Sequence, residues 1–344
     1  MLVWGSKMRK SRIRAAMALA CGLVLLAALP VSGAQKRRMR VKFPPKTGVQ
    51  TPGVQHDIEG LIAKATVFPV AGHPDWMAVT KGGVWVTSSS ANHVVWLDAK
   101  TNRPGAIVTV AKPCAGLAVG FGSLWIPSCG DHEVVRVNAK TGAQQATVSA
   151  GPANSEGGIA VGAGSVWIVT SKASDLARID PKTNKVIADI RIPPGSFNPV
   201  YAHGSIWVSS NQGGTLVRVN PVTDAVVGQT PVGPRPRFLT VGAGSIWVLN
   251  QGDGSVARVD AATGKRTALI AAGIPGFGGE ISFGGGAVWA TVFKFPITRI
   301  DARTNHVTAQ WHGQGGDSIR FGHHSIWLSN LVGARVWRLP VPRP

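Results

Sequence analysis

A tryptophan that follows a small-residue turn recurs seven times along the chain, at intervals close to 40 residues. The seven are Trp85, Trp125, Trp167, Trp207, Trp247, Trp289 and Trp327, with spacings of 40, 42, 40, 40, 42 and 38 residues. A fixed period of this length indicates a repeat architecture in which each copy is one supersecondary unit. The chain therefore has to build the same unit seven times.

The copy at 157–192 shows what one unit contains. Four short runs rich in β-branched residues are separated by turn residues, and they cover 157–161, 165–169, 176–180 and 185–192. Each run has the length and alternation of a β-strand. Four strands in about 40 residues predict an all-β, seven-bladed β-propeller of four-stranded antiparallel blades.

The repeat does not start at a blade boundary. The last copy supplies three strands within 317–339, whereas the segment 64–70 supplies a fourth strand without the three before it. Pairing the two closes the ring and removes two exposed sheet edges, which would otherwise favour aggregation. We predict one propeller domain over 61–340, closed by the N-terminal strand, and a short tail at 341–344.

Three repeated features are explained by the fold alone. The Asp-x-x-Thr motifs have the chemistry of a type I turn closed by a left-handed residue. The tryptophans are predicted to pack between blades rather than to line a ligand channel. Arginines recur on the third strand, and we interpret them mainly as blade-surface charges with packed stems. They are Arg136, Arg178, Arg218, Arg258, Arg299 and Arg338.

The N-terminus resembles an export signal. Residues 1–34 combine a basic start, an apolar run and small residues before Gln35, which predicts a cleaved signal peptide and an extracytoplasmic location, periplasmic or secreted. Residues 1–46 hold eleven of the Lys and Arg and no acid, so the net charge of +20 falls to +9 for 47–344. The basic stretch 35–60 is predicted to be a disordered arm or linker.

These properties limit the partners. An exported chain without a nucleic-acid-binding module is not expected to bind nucleic acid. Membrane contact is expected only through the basic arm, if at all. The expected partner is a small molecule or an envelope or protein component, bound by a monomer.

Two cysteines remain after the signal peptide, Cys114 and Cys129. With a two-residue turn at Phe121-Gly122, position i pairs with 243 minus i, so the cysteines lie directly opposite each other. Such a pair is close enough for a disulfide. A bulge at Gly122 would shift this register.

Function is expected where the copies differ, which is at the channel mouth formed by the fourth-to-first strand loops. The candidate ligand-binding residues there are His73, Asp75, Trp76, Glu156, Asn198, Arg235, Arg237, Glu280 and Asp317. Asp75, Glu280 and Asp317 fall on consecutive blades and are tentative ligands of a divalent cation, Mg or Ca. The alternative is a solvated rim of scattered charges.

Catalytic signatures are missing from the sequence. It has no phosphate-binding loop, no Gly-x-Ser-x-Gly elbow and no His-Glu-x-x-His helix. The adjacent His323 and His324 fall in a turn away from the presumed mouth. No catalytic residue can be assigned from these patterns.

The stretches "VGAGSVWIV", "LARIDPKTN" and "VIADIRI" resemble the seven-bladed propellers of the streptogramin B (virginiamycin B) lyase-like and YVTN-repeat groups. The resemblance covers residues of all seven copies and implies the fold, in groups that mix enzymes with non-enzymatic extracytoplasmic proteins. For the lyases it implies elimination with a magnesium ion, a histidine base and Phe-Thr-Glu after the blade tryptophan. Here Ala-Thr-Val follows Trp289 and Val-Leu-Asn follows Trp247, and no copy has the Glu.

Two functions therefore remain open. The first is an exported, non-catalytic binding or interaction propeller that recognises a ligand or envelope component at the channel mouth. The second is a metal-dependent lyase or lactonase-like hydrolase that uses the three carboxylates, with Glu156 nearby.

Overall fold

The computed structural model describes residues 41–171 and 174–342. The predicted signal peptide, the arm as far as residue 40 and the last two residues of the tail lie outside the described residues. Short helical turns in the described part are α1 (Glu59–Ile62) and a 3-10 turn (Ser89–Ala91). Within 41–171 and 174–342, no helix has the length and apolar character needed to cross a membrane.

The first three blades follow one another along the chain. Blade 1 contains β3 (Pro74–Val79), β4 (Gly83–Ser88), β5 (His93–Asp98) and β6 (Pro104–Thr109). Blade 2 contains β7 (Ala118–Gly120), β8 (Ser123–Ser128), β9 (Glu133–Asn138) and β10 (Gln144–Val148). Blade 3 contains β11 (Ile159–Gly162), β12 (Ser165–Thr170), β13 (Asp175–Asp180) and β14 (Lys185–Arg191).

The next three blades repeat this order. Blade 4 contains β15 (Ser196–Ala202), β16 (Ser205–Ser210), β17 (Thr215–Asn220) and β18 (Ala225–Pro231). Blade 5 contains β19 (Pro236–Gly242), β20 (Ser245–Asn250), β21 (Ser255–Asp260) and β22 (Arg266–Ala271). Blade 6 contains β23 (Glu280–Gly284), β24 (Ala287–Val292), β25 (Lys294–Asp301) and β26 (His306–Gly313).

Blade 7 joins the two ends of the domain. It contains β2 (Thr66–Pro69), β27 (Ile319–Gly322), β28 (Ser325–Asn330) and β29 (Arg335–Pro340). Strand β2 pairs antiparallel with β29, with Thr66 opposite Arg338 and Phe68 opposite Val336. Neighbouring strands are antiparallel within each four-stranded blade, so the predicted seven-bladed propeller and its closure by an N-terminal strand are confirmed.

The described part of the arm differs from the disordered segment that the sequence predicted. Strand β1 (Gln55–Asp57) adds in parallel to β26 as a fifth strand of blade 6. Upstream, Gly48 donates a backbone hydrogen bond to the carbonyl of Gly273 (2.9 Å). Ile58 is fully buried. The basic residues that suggested disorder are concentrated before residue 47. The apolar and amide residues that contact the propeller follow them.

The seven tryptophans pack between blades, as predicted. Each is at most 1% exposed, and Trp167 belongs to one apolar cluster with side chains of blade 4 such as Val208. Burial of one indole contributes about 2–3 kcal/mol. From Trp125 onward, each indole N–H donates to the carbonyl of the residue five positions earlier.

The third-strand arginines are not surface charges, which corrects the sequence interpretation. The Arg178 guanidinium lies 5.2 Å from the ring centroid of Trp167. Its Nε donates to Ser165 Oγ (2.9 Å) and its Nη1 to the Pro221 carbonyl (2.9 Å) in the Asp-x-x-Thr turn of the next blade. The sequence suggested only a packed stem, because the acceptor lies in a different copy.

The same inter-blade arginine bond recurs around most of the ring. Arg136, Arg218, Arg258 and Arg338 each bond the corresponding Ser hydroxyl and a turn carbonyl of the next blade. Arg299 is an exception, since Ala287 replaces the serine and the Arg299 Nε is buried without a partner in the described residues. Its Nη1 bonds Thr308 of the same blade instead.

The Asp-x-x-Thr turns have the predicted chemistry. Asp180 accepts the backbone N–H of Lys182 (2.9 Å) and the hydroxyl of Thr183 (2.9 Å). Asn184, which closes the turn, has a φ of 56°. Backbone hydrogen bonds hold the pKa of Asp180 below its ordinary value, and those of Asp98, Asp260 and Asp301 likewise.

Cys114 and Cys129 form the predicted disulfide, with a Cα–Cα distance of 5.2 Å. The hairpin register holds where Ala118 faces Trp125, but Pro113 faces Ser128, two positions away from the predicted pairing. The ladder is interrupted between these points because Ala115 donates to the Ser155 carbonyl of blade 3. The cysteines meet despite this irregularity.

Candidate functional site

The first strands of the blades line a central cavity of about 400 Å³. At one end its lining consists of Val79, Val119, Val161, Tyr201 and Val241. These residues lie just before the first hairpin turns of blades 1 to 5, so this apolar rim faces the hairpin-turn side. Val119, Tyr201 and Val241 are 36–40% exposed, which shows that the rim is accessible.

The other end of the channel carries a cluster of charged residues, which we call the mouth network. Its members are Asp75, Glu156, Arg237, Glu280, Asp317 and Arg320. The Glu156 carboxylate forms an ion pair with Arg237, which joins blade 3 to blade 5. A second ion pair joins Glu280 of blade 6 to Arg320 of blade 7.

Glu280 is the most deeply buried of these carboxyl groups, at 2% exposure. Its two oxygens contact Arg320 and the hydroxyl of Ser318. Burial raises the pKa of Glu280 to about 7, although Arg320 and Ser318 both act to lower it. Its protonation state therefore changes near neutral pH.

Asp75 and Asp317 form a carboxyl pair between blades 1 and 7. Burial raises the pKa of Asp75 well above its ordinary value, and the neighbouring Asp317, Glu156 and Glu280 carboxyl groups raise it further. Asp317 is bonded by Asp75 and by the backbone N–H of Gly279. Two like charges this close are unfavourable, so the Asp317 carboxyl group favours the protonated form of Asp75.

Aromatic side chains cover the two arginines of the network. Trp76 reaches Phe238 of blade 5, with ring centroids 6.0 Å apart, and Arg320 lies 4.8 Å from the Trp76 centroid. Arg237 lies 4.6 Å from the centroid of Phe197 and 5.3 Å from that of Phe238. These contacts fix both guanidinium groups above the polar end of the cavity.

The remaining predicted residues lie apart from the network or beside it. His73 is exposed. Arg235 packs near Phe43 and Phe277 rather than in the channel. Asn198 lines the cavity at 3% exposure, and its Oδ1 has no hydrogen-bond partner among the described residues.

Sequence reasoning missed Arg320, which completes the network. Arg320 lies opposite Trp327, in the register position where the other blades carry a small residue or Val200. Those residues are Ala78, Ala118, Ala160, Thr240 and Ser282. A single arginine among small residues at a channel-facing position was the available signal.

The tentative metal ligands do not present a common ligand set. The two carboxyl oxygens of Glu280 already bond Arg320 and Ser318, whereas Asp75 bonds Asp317. Within residues 41–171 and 174–342, no group of three or more His, Cys, Asp or Glu side chains has an arrangement suited to a metal ion.

Fold and geometry together define a seven-bladed β-propeller with an accessible apolar channel end and a charged end that is internally paired. The structure resembles that of a streptogramin B lyase, with a TM-score of 0.66 and 19% identity over 79% of this chain and 96% of that one. This agrees with the type of propeller that the sequence motifs suggested.

Other solved structures match similarly well. Hydrazine synthase of Kuenenia stuttgartiensis gives a TM-score of 0.66 at 13% identity, over 86% of this chain and 99% of that one. The U3-55K structure gives a TM-score of 0.69 at 10% identity, over 82% of this chain and 100% of that one. At these identities the likeness shows the fold alone. No protein-family model matches the sequence, and no curated protein sequence matches it.

Proposed function

We propose that this chain is an exported, non-catalytic binding propeller that holds a small amphipathic molecule in its central channel. The observation that carries the proposal is the contrast between the two ends of the channel. The apolar end is accessible, whereas the charged groups at the polar end form ion pairs with one another. A cavity of about 400 Å³ has the size of small-molecule sites.

The lining suggests which end of the ligand lies where. An apolar body would contact the valines and Tyr201 at the rim, where burial of exposed apolar surface favours binding. A polar end would reach Asn198 and Arg320, which line the cavity. Because Arg320 is cationic, a carboxylate or carbonyl oxygen is the favoured polar group.

The mouth network supports this role by fixing the polar end in place. Glu280 and Trp76 hold Arg320 from two sides, so its guanidinium loses little freedom when a ligand binds. Preorganisation of this kind reduces the free-energy cost of binding.

Export rests on the signal-like residues 1–34. The Cys114–Cys129 disulfide supports it, because such bonds persist mainly in oxidising compartments. A reporter fusion that requires secretion for activity tests this half of the proposal. A fusion that remains cytoplasmic with residues 1–34 intact contradicts it.

Isothermal titration with octanoate tests the ligand half. We expect binding that weakens about tenfold in Arg320→Met, which keeps the side-chain bulk and removes the donors. Val227→Ala, on the outer strand of blade 4, is the matched control and is expected to bind like the parent. Undetectable octanoate binding, or equal binding by Arg320→Met and the parent, contradicts the proposal.

The competing function is a metal-dependent lyase or lactonase-like hydrolase, and the Asp75–Asp317 pair is the observation that favours it, since paired carboxyl groups can transfer protons. Thermal shift with Mg²⁺ and Ca²⁺ separates the two functions. Stabilisation by either ion that disappears in Asp75→Asn and Asp317→Asn supports the enzyme and contradicts a purely binding role.

A further inference from the structure

Blade 1 departs from the inter-blade arginine pattern at two positions that contact each other. Trp96 lies opposite Trp85, where other blades carry the arginine, and Gly83 replaces the serine that bonds it. A Cβ at Gly105 would lie 2.8 Å from the Trp96 ring, and one at Gly83 would lie 2.9 Å from that ring and even closer to the Leu97 carbonyl oxygen. Gly105 therefore provides space for the aromatic ring, and Gly83 provides space for both the ring and the neighbouring backbone.

Blade 1 has no third-strand arginine to bond the turn carbonyl of blade 2. Another side chain makes this bond. The Trp85 indole N–H donates to the carbonyl of Ala139 (2.9 Å), in the Asp-x-x-Thr-type turn of blade 2. Its six counterparts donate within their own blades. The blade 1–2 contact is thus kept without a guanidinium in the groove.

The groove between these blades remains open as a cleft of about 570 Å³ on the hairpin-turn side. Its lining residues include Trp96, Val119, Ala139, Lys81 and Lys140. Trp96 is half-buried and Val119 is 36% exposed, so an aromatic face and an apolar wall are accessible. The cleft shares Val119 with the apolar rim of the channel and is separate from the mouth network.

The charge of the cleft is positive. Lys81 and Lys140 belong to turns of neighbouring blades, and both are exposed. Neither ammonium group has a hydrogen bond or ion pair within the described residues. Among residues 41–171 and 174–342, no acidic side chain lines the cleft.

We propose that this cleft is a second binding site, which takes a planar aromatic carboxylate. The aromatic ring lies against Trp96 and Val119, where stacking and apolar burial favour it. The carboxylate meets Lys81 and Lys140, whose charges complement it. In blade 1 alone, Gly83 stands in place of the serine and Trp96 in place of the arginine, and these two replacements create the site.

Isothermal titration with naphthalene-2-carboxylate tests the proposal, with naphthalene-2-carboxamide as the neutral probe of the same shape. We expect the carboxylate to bind and the amide to bind about tenfold more weakly. The variant Trp96→Arg, which places the residue of the other blades in the groove, is expected to abolish binding. The double variant Lys81→Ala/Lys140→Ala changes only exposed side chains and is expected to reduce carboxylate binding to the level of the amide.

The variant Arg320→Met separates this site from the channel. It is expected to weaken octanoate and leave naphthalene-2-carboxylate unchanged, so each proposal can fail without the other. Absence of carboxylate binding overturns the inference, as does binding that survives both Trp96→Arg and the double lysine variant.

Discussion

Two regions of the propeller combine an arginine, an aromatic ring and an acidic group, and they do so for different purposes. Between blades 3 and 4, Arg178 lies on Trp167 and bonds Asp224 at 3.0 Å, with 21% and 31% of the two side chains exposed. At the channel mouth, Arg320 lies on Trp76 and bonds Glu280, with 16% and 2% exposed. In the first arrangement the arginine–tryptophan contact and the bond to the next blade recur around most of the ring, and the other blades with this bond replace the carboxylate by an asparagine or by a backbone carbonyl alone. The second occurs once, is buried and has carboxyl groups whose pKa values are raised.

The largest effect is expected from removal of the repeated aromatic ring. Trp167→Ala leaves a cavity between blades 3 and 4 and is expected to lower the free energy of unfolding by about 3–5 kcal/mol. Urea unfolding measures this. Trp76→Ala, at the mouth, is the comparison and is expected to cost less because Trp76 is only partly buried. Equal losses of unfolding free energy in the two variants would mean that the inter-blade tryptophan contributes no more to stability than the channel-mouth tryptophan.

Loss of the disulfide is expected to cost about 3 kcal/mol, because the bond closes a loop with a sequence separation of 15 residues. Cys114→Ser/Cys129→Ser, compared with the parent in the same urea series, measures the effect. An unchanged unfolding midpoint would show that the neighbouring hydrogen bonds alone hold the two ends of this blade 2 hairpin together.

The two arginine pairs should differ when one partner is neutralised. Arg320→Met leaves Glu280 buried without its cation and is expected to cost about 1–3 kcal/mol, since Glu280 can take up a proton. Asp224→Asn removes a half-exposed pair and is expected to cost under about 1 kcal/mol. If thermal unfolding at pH 8 shows that Arg320→Met loses less stability than Asp224→Asn, the mouth network does not stabilise the fold.

Stability is expected to fall as the pH rises from 5 to 8. The folded protein holds the Glu280 proton up to about pH 7, whereas the unfolded chain releases it near 4.5. This contribution is complete below the unfolded pKa and is lost as the pH rises through the folded pKa. Melting temperatures across this range measure it, and Glu280→Gln should give a flatter profile. An identical slope in Glu280→Gln contradicts the assignment.

The smallest expected effect is a gain. Ala287→Ser supplies blade 6 with the hydroxyl that bonds the arginine Nε elsewhere, and Arg299 Nε is buried without a partner. One restored hydrogen bond should stabilise the protein by about 0.5–1.5 kcal/mol. Ala290→Ser on the same strand is the control and should destabilise the protein, because Ala290 is fully buried in an apolar cluster.

The sequence predicted those features that depend on neighbours in the chain. The Asp180 turn and the strand alternation are local, and the disulfide needed only one hairpin. The tryptophan packing between blades and the closure by β2 were also predicted, because they follow from the repeat itself. Polar side-chain contacts between copies were missed: the Arg178 bond to the Pro221 carbonyl crosses to the next blade. The pairing of Glu156 with Arg237 crosses the channel, and the sequence gives no spacing rule for such a contact.

The sequence placed Asp75, Glu156, Glu280 and Asp317 together at one end of the channel, but it did not predict how their charges pair. Asp75, Glu280 and Asp317 do lie near one another, since the neighbouring carboxyl groups raise the pKa values of Asp75 and Glu280. The sequence could not show that Arg320 would occupy Glu280, because the direction of a long side chain depends on the packing of Trp76 around it. The sequence likewise did not predict strand β1 in the arm, because its partner strand β26 lies far along the chain.

The pairing of β2 with β29 sets the order in which the protein can be completed. Ribosomes synthesise β2 early and β29 late, so β2 has no partner strand until nearly the whole chain exists. Six blades can form from local hairpins during this time, whereas the seventh waits for a contact of very high sequence separation. A substitution at Phe68 is therefore expected to slow the final folding step, and a ribosome stalled before β29 would carry an open ring with an unpaired edge.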